Sequence, residues 1–189
     1  MSRKSIQGPA QVNPVHHITP AQPAILASLA QRGWVRHRAS NNVADSVLEE
    51  IRALGDLLGP RAVGRASATE EIVRPQAAHE AHPRSLSAQY GLNPLPLHAE
   101  LSHRPRPCRY LLLGCIKPGS PTAVTRLLDW RALYFSRDEL SLLESAPLLV
   151  RTGRRSFYAT VLPPDRTFLR YDPGCLQAVD KRGRSALCI

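Results

Sequence analysis

At 189 residues, 43% hydrophobic and 21% charged, the chain has the size of one domain and enough apolar content to bury a core. No apolar run approaches the roughly 20 residues of a transmembrane helix, so no membrane is expected as a partner and cytoplasmic residence is the default. The formal net charge of +10 invites a polyanion, but the arginines are scattered and no aromatics interleave for base stacking, so nucleic acid is not expected; an anionic substrate or a missing acidic C-terminal portion accounts for the charge as well.

Residues 1–18 carry Pro, Gly, Gln and Asn with little periodicity and read as a mobile arm. His16 and His17 fall there; adjacent residues do not share a strand face, so they are not a mononuclear site. Thr19, Pro20 and Gln22 mark a helix start, and Gly33 ends that helix. The apolar run Ala24–Ala30 sits behind prolines and contains Ser28, which is unlike a secretory leader. Trp34–Arg38 reads as a strand. Val43, Val47, Ile51, Leu54 and Leu58 recur every three or four residues, the pattern of an amphipathic helix, with Asn42 as its cap and Gly59-Pro60 as its stop. Residues 61–96 are loop-rich, and His79 and His82 read as exposed loop histidines.

Strands are expected at 109–116, 125–129, 147–152, 156–161 and 167–171. Ser136-Arg137-Asp138-Glu139 has the form of a capping box and opens a short helix over Leu140, Leu142 and Leu143. Thr152-Gly153 suits a hairpin connection. Short strands separated by turns, with helices mostly N-terminal, give an α+β layout around an antiparallel sheet. Cys108, Cys115, Cys175 and Cys188 have no Cys-x-x-Cys or zinc-finger spacing and read as free thiols.

The residues richest in chemistry are His98 and Glu100, within Leu95-Pro96-Leu97-His98-Ala99-Glu100-Leu101. In an extended strand, side chains at i and i+2 point to one face. An imidazole and a carboxylate projecting together are two corners of the 2-His-1-carboxylate triad that holds non-haem Fe(II) and leaves positions open for substrate and oxygen. The third corner is a second histidine, and no histidine follows His103. His103 itself, five residues on, points to the opposite face of a straight strand, unless the turn at Arg104-Pro105 redirects it.

The order of segments resembles the taurine dioxygenase and clavaminate synthase-like family of Fe(II)/2-oxoglutarate-dependent oxygenases. A helix ends in Leu58-Gly59-Pro60, and Ser85-Leu86-Ser87-Ala88-Gln89-Tyr90-Gly91 follows. Then come His98-Ala99-Glu100, a Pro-rich turn, an apolar strand, the Thr125…Asp129 segment and Leu169-Arg170-Tyr171-Asp172-Pro173-Gly174. The resemblance runs from about Gly33 onward. It implies a double-stranded β-helix, or jelly roll, incomplete here across 19–189. It also implies Fe(II) held by His98 and Glu100, 2-oxoglutarate as cosubstrate, and a small-molecule substrate that is hydroxylated or oxidised. Thr125 best matches the cosubstrate-binding threonine, with Thr122 as the alternative. Ser85, Ser87, Gln89 and Tyr90 line the substrate pocket or hold a turn.

Two parts of the family pattern have no counterpart: the distal histidine and the arginine that anchors the far carboxylate of 2-oxoglutarate. Arg170 and Arg182 are the conceivable substitutes for the arginine. The expectation is therefore an N-terminal oxygenase portion whose C-terminal segment is lost or supplied by a second chain. The alternative is a catalytically inactive truncated remnant or a binding protein.

Overall fold

The structure, a computed structural model, describes residues 21–41, 43–64, 68–83, 85–119, 124–152 and 155–189. The proposed arm at 1–18, the caps Thr19 and Asn42, Gly153 and Thr122 lie outside the described residues. The described chain is α+β. Helix α1 spans Ala21–Arg32, α2 Ala44–Leu58, α3 Leu86–Tyr90, α4 Arg137–Ser145 and α5 Lys181–Cys188. Strand β1 spans Leu148–Thr152, β2 Arg155–Ala159 and β3 Leu176–Ala178. The sheet order is β2-β1-β3, and both pairings are antiparallel.

The C-terminal third carries the core, and local chemistry explains its elements. The capping box forms: the Ser136 hydroxyl accepts from the Glu139 N–H at 3.2 Å, and the Glu139 carboxylate accepts from the Ser136 N–H at 2.7 Å. Two N–H groups that α4 leaves without helical partners are thereby satisfied. Pro147 ends the helix by holding Ala146 in an extended conformation. Strand β1 then places Leu148 and Val150 on one face, both fully buried, as the period of two requires. Leu148 joins Leu143, Ala146, Val161, Leu162 and Ala186, with Trp130, Phe135 and Leu169 packed around them. Leu162 N–H donates to the Leu143 carbonyl at 3.0 Å and binds the strand exit to α4. Helix α5 closes over the sheet, capped by the Asp180 carboxylate, which accepts from Gly183 N–H at 2.7 Å.

The N-terminal half is less buried. Gly33 (φ +78°) ends α1, its N–H donating to the Leu29 carbonyl at 2.9 Å; the left-handed φ is cheap only for glycine. Gly59 ends α2 with a positive φ of its own (+114°). In α2 only Val47 of the apolar stripe is fully buried. Gly114 lies so close to Val47 and Ile51 that a side chain there would collide with Ile51. Arg52, Arg61, Glu70 and Asp56 form a surface ion-pair chain at 2.6–2.8 Å that ties the segment after α2 back to the helix. Among the described residues no helix is long and apolar enough to cross a membrane.

Several expected strands do not form. Residues 34–38, 109–116, 125–129 and 167–171 are not strand. A strand exists only where a partner completes its ladder, and those segments find none among the described residues. Leu111, Leu113, Val124, Leu127 and Leu128 consequently stand 54–70% exposed. In 167–171 the backbone bonds elsewhere: Arg170 N–H donates to the Val161 carbonyl at 2.7 Å, and the Tyr171 carbonyl accepts from Ala99 N–H at 2.7 Å. The third strand is instead Leu176–Ala178, three residues without a sequence signal of their own.

Candidate metal half-site

His98 and Glu100 are not on a strand. Residues 94–99 are irregular and 100–103 form a turn. Pro94, Pro96, Pro105 and Pro107 lack the N–H that a ladder needs, and Leu101 takes a left-handed backbone (φ +54°), which reverses the chain. The i, i+2 rule for a common strand face therefore does not govern this pair.

What replaces the strand is a turn bound to the core. Ser102 is fully buried; its hydroxyl donates to the Ala99 carbonyl at 2.7 Å and lies 3.3 Å from the Tyr171 carbonyl. Arg104 N–H donates to the Leu101 carbonyl at 2.9 Å, and Ala99 N–H to that of Tyr171 at 2.7 Å. The Arg170 guanidinium donates to the carbonyls of Ser102, Arg104 (2.6 Å) and Pro105 (2.8 Å).

On this anchored turn His98 and Glu100 are both exposed. His98 Nδ1 lies 2.9 Å from the Pro96 carbonyl oxygen. A carbonyl only accepts, so in the neutral imidazole this contact places the proton on Nδ1 and leaves the lone pair on Nε2. That is the tautomer of a histidine metal ligand, its second nitrogen fixed by a backbone acceptor. The Glu100 carboxylate accepts from Leu101 N–H at 3.3 Å. The Cys108 thiol is pushed up, first by burial and then by the Glu100 charge. His103, on the same turn, is half-buried. Among the described residues no three His, Cys, Asp or Glu side chains are grouped to hold a metal ion. An imidazole and a carboxylate are donors of the kind Fe(II) takes, but no third donor is grouped with them among the described residues.

The other candidates fall elsewhere. Thr125 is exposed on the unpaired segment 124–129. Ser85 is buried and caps α3, accepting from Ala88 N–H at 3.2 Å and donating to the His82 carbonyl at 2.8 Å. Of the two roles open to the Ser85–Tyr90 run, Ser85 fills the turn-holding one. Asp129 caps the short turn Trp130–Ala132 and is paired with Arg131 at 2.8 Å. Arg170 is only 2% exposed, and both of its Nη atoms are bonded to carbonyls of the turn, so it is not displayed to a cosubstrate. Arg182 is exposed on α5 and donates to the Ser145 hydroxyl at 2.7 Å. The clefts of about 400 Å³ beside Trp34 and about 300 Å³ beside Phe157 do not include His98 or Glu100.

The role of Arg170 toward the turn was not legible beforehand. Its one sequence signal was an arginine in a stretch that otherwise reads as strand. Comparison with protein-family models, with curated proteins and with solved structures finds no match to this chain.

Proposed function

We propose that the chain is the metal-presenting portion of an Fe(II)/2-oxoglutarate-dependent dioxygenase-like protein, a partial double-stranded β-helix working in the cytoplasm on a small-molecule substrate. The observation that carries this reading is the joining of two distant segments of the resemblance. His98-Ala99-Glu100 and Leu169–Gly174 are bonded through Ala99 N–H to the Tyr171 carbonyl at 2.7 Å and through Arg170 to the turn. A metal site of this kind needs its ligands on a backbone that does not move, and the buried Ser102 supplies part of that rigidity.

In this reading His98 Nε2 and a Glu100 carboxylate oxygen are two of three protein ligands. The Pro96 carbonyl fixes the imidazole tautomer, and the carboxylate offsets part of the cation's charge. The metal, when bound, supplies the oxygen chemistry, and the protein's share is to hold and orient. Thr125 is the residue offered to the cosubstrate. The third ligand and the carboxylate-anchoring arginine come from a second chain that carries the C-terminal segment. The lack of a third grouped donor among the described residues equally favours a second reading, a binding protein without catalysis.

Calorimetry with Co(II) as an air-stable probe tests the half-site. The full chain is expected to bind weakly, and His98→Ala and Glu100→Ala each to abolish binding. Affinity unchanged in both variants sinks the proposal. Succinate release with Fe(II), ascorbate and 2-oxoglutarate separates the two readings. The chain alone is expected to be inactive, and addition of the missing segment to restore turnover only if the oxygenase reading holds.

A further inference from the structure

We propose that Arg170 is a positioning residue for His98 and Glu100, a latch that fixes their turn to the sheet. Its place in the metal chemistry rests on the function proposed above; its hold on the turn does not.

The guanidinium is buried, 2% exposed, and meets no carboxylate. A charge removed from water without a counter-charge is costly unless hydrogen bonds replace its solvation. Every such bond here goes to one short stretch. Nη1 donates to the carbonyls of Ser102 and Arg104, and Nη2 to that of Pro105. Tyr171 adds two more contacts to the same turn, its carbonyl taking Ala99 N–H and approaching the Ser102 hydroxyl. Prolines on both sides keep this stretch from satisfying its carbonyls in a ladder. The arginine supplies the donors that a neighbouring strand would otherwise give.

The other end of the latch is the sheet. The guanidinium carbon lies 5.4 Å from the ring centre of Phe157 on β2 and 5.1 Å from that of Phe168, within the range of cation–π attraction. Phe157 faces Val150, the buried residue at the middle of β1. The turn bearing His98 and Glu100 is thus tied through one side chain to the β1–β2 pair of the sheet. The planar fork spreads its donors over two terminal nitrogens to reach the three carbonyls, whereas a lysine's donors all radiate from one nitrogen. Nε has no partner among the described residues, so the side chain is held by its terminal nitrogens and by the two rings.

The experiment uses the full chain and the variant Arg170→Lys, which keeps the charge and loses the fork. Amide hydrogen exchange is read as the ratio of the Ala99 and Arg104 rates to those of the β1 ladder amides, so a general loss of stability cancels. Co(II) affinity is measured on the same samples. The ratio is expected to rise at least about tenfold, and Co(II) affinity to fall about 10- to 100-fold, as when a support of a metal ligand is removed. An unchanged ratio overturns the proposal. So does a raised ratio with undiminished Co(II) affinity, which leaves Arg170 purely structural. If the wild-type chain takes no Co(II), a raised ratio still supports the latch and only the functional reading fails. Should Arg170→Lys not fold, Arg170→Met, which keeps an apolar stem against the two rings, carries the same measurements.

Discussion

Two glycines in helices give opposite expectations for the same substitution. Alanine is favoured over glycine in a helix interior by about 1 kcal/mol, so Gly55→Ala and Gly183→Ala both look stabilising from sequence. In α2, a Cβ at Gly55 meets only Arg61 Nε, at 3.9 Å, an ordinary contact with a flexible side chain. In α5, a Cβ at Gly183 meets the Pro147 carbonyl oxygen at 2.8 Å, with Ala178 Cα and Leu148 Cδ2 both at 3.3 Å. Pro147 is flanked by Ala146 and Leu148, both 0% exposed, so its carbonyl has little room to yield. Overpacking of this kind costs about 1–3 kcal/mol, which outweighs the helix gain. Gly183→Ala is expected to lose up to about 2 kcal/mol net, a fall of up to about 4–8 °C in melting temperature for a chain of this length. Gly55→Ala is expected to gain about 0.5–1 kcal/mol, a rise of about 2–3 °C. Thermal unfolding followed by circular dichroism measures both. If Gly183→Ala melts at or above the wild type, the close packing of α5 on the start of β1 is wrong.

The thiols are expected to separate by environment. The Cys175 thiol is pushed up to about 12 by burial and by the neighbouring Asp172 carboxylate, while Cys115 and Cys188 are exposed. Because the thiolate is the nucleophile, an aromatic disulfide reagent at pH 8 should modify Cys115 and Cys188 quickly and Cys175 last; a single fast phase for all four would contradict the packing. Ser136→Ala should cost about 1 kcal/mol through loss of the α4 cap, read by urea unfolding. Glu139 is held below the usual carboxylate range by the Ser136 backbone N–H and then its hydroxyl. A depressed value stabilises above the ordinary pKa of 4.5 and loses that effect as pH falls through the folded value. The advantage of wild type over Glu139→Gln should therefore be present at neutral pH and close below about pH 4.5, and an undiminished gap at pH 3 would show that ionisation has no part in it.

What the sequence determined by itself is what local hydrogen bonding determines. Helix α2 follows from Val47, Ile51 and Leu54 at helical spacing, and its end from Gly59. The start of α4 follows from Ser136 and Glu139, which satisfy each other three residues apart. The β1–β2 hairpin follows from two alternating runs joined across a tight connection. In each case donor and acceptor lie within a few residues, so the pattern contains its own partners. The sequence also offered His98 and Glu100 as candidate donors, a reading that rests on residue type.

Only the tertiary structure decided where that pair stands. A strand requires a partner chosen from the whole chain, and prolines on both sides of His98 and Glu100 remove the donors such a partner would use. The same lack leaves 109–116 and 125–129 without a ladder and admits the three residues Leu176–Ala178 beside β1. Arg170 is the clearest instance. From sequence it was an arginine in a presumed strand and a possible anchor for a cosubstrate. In the fold it is a buried cation whose bonds reach carbonyls 65 to 68 residues away. Burial removed it from solvent, and the unsatisfied carbonyls of a proline-rich turn determined what it holds.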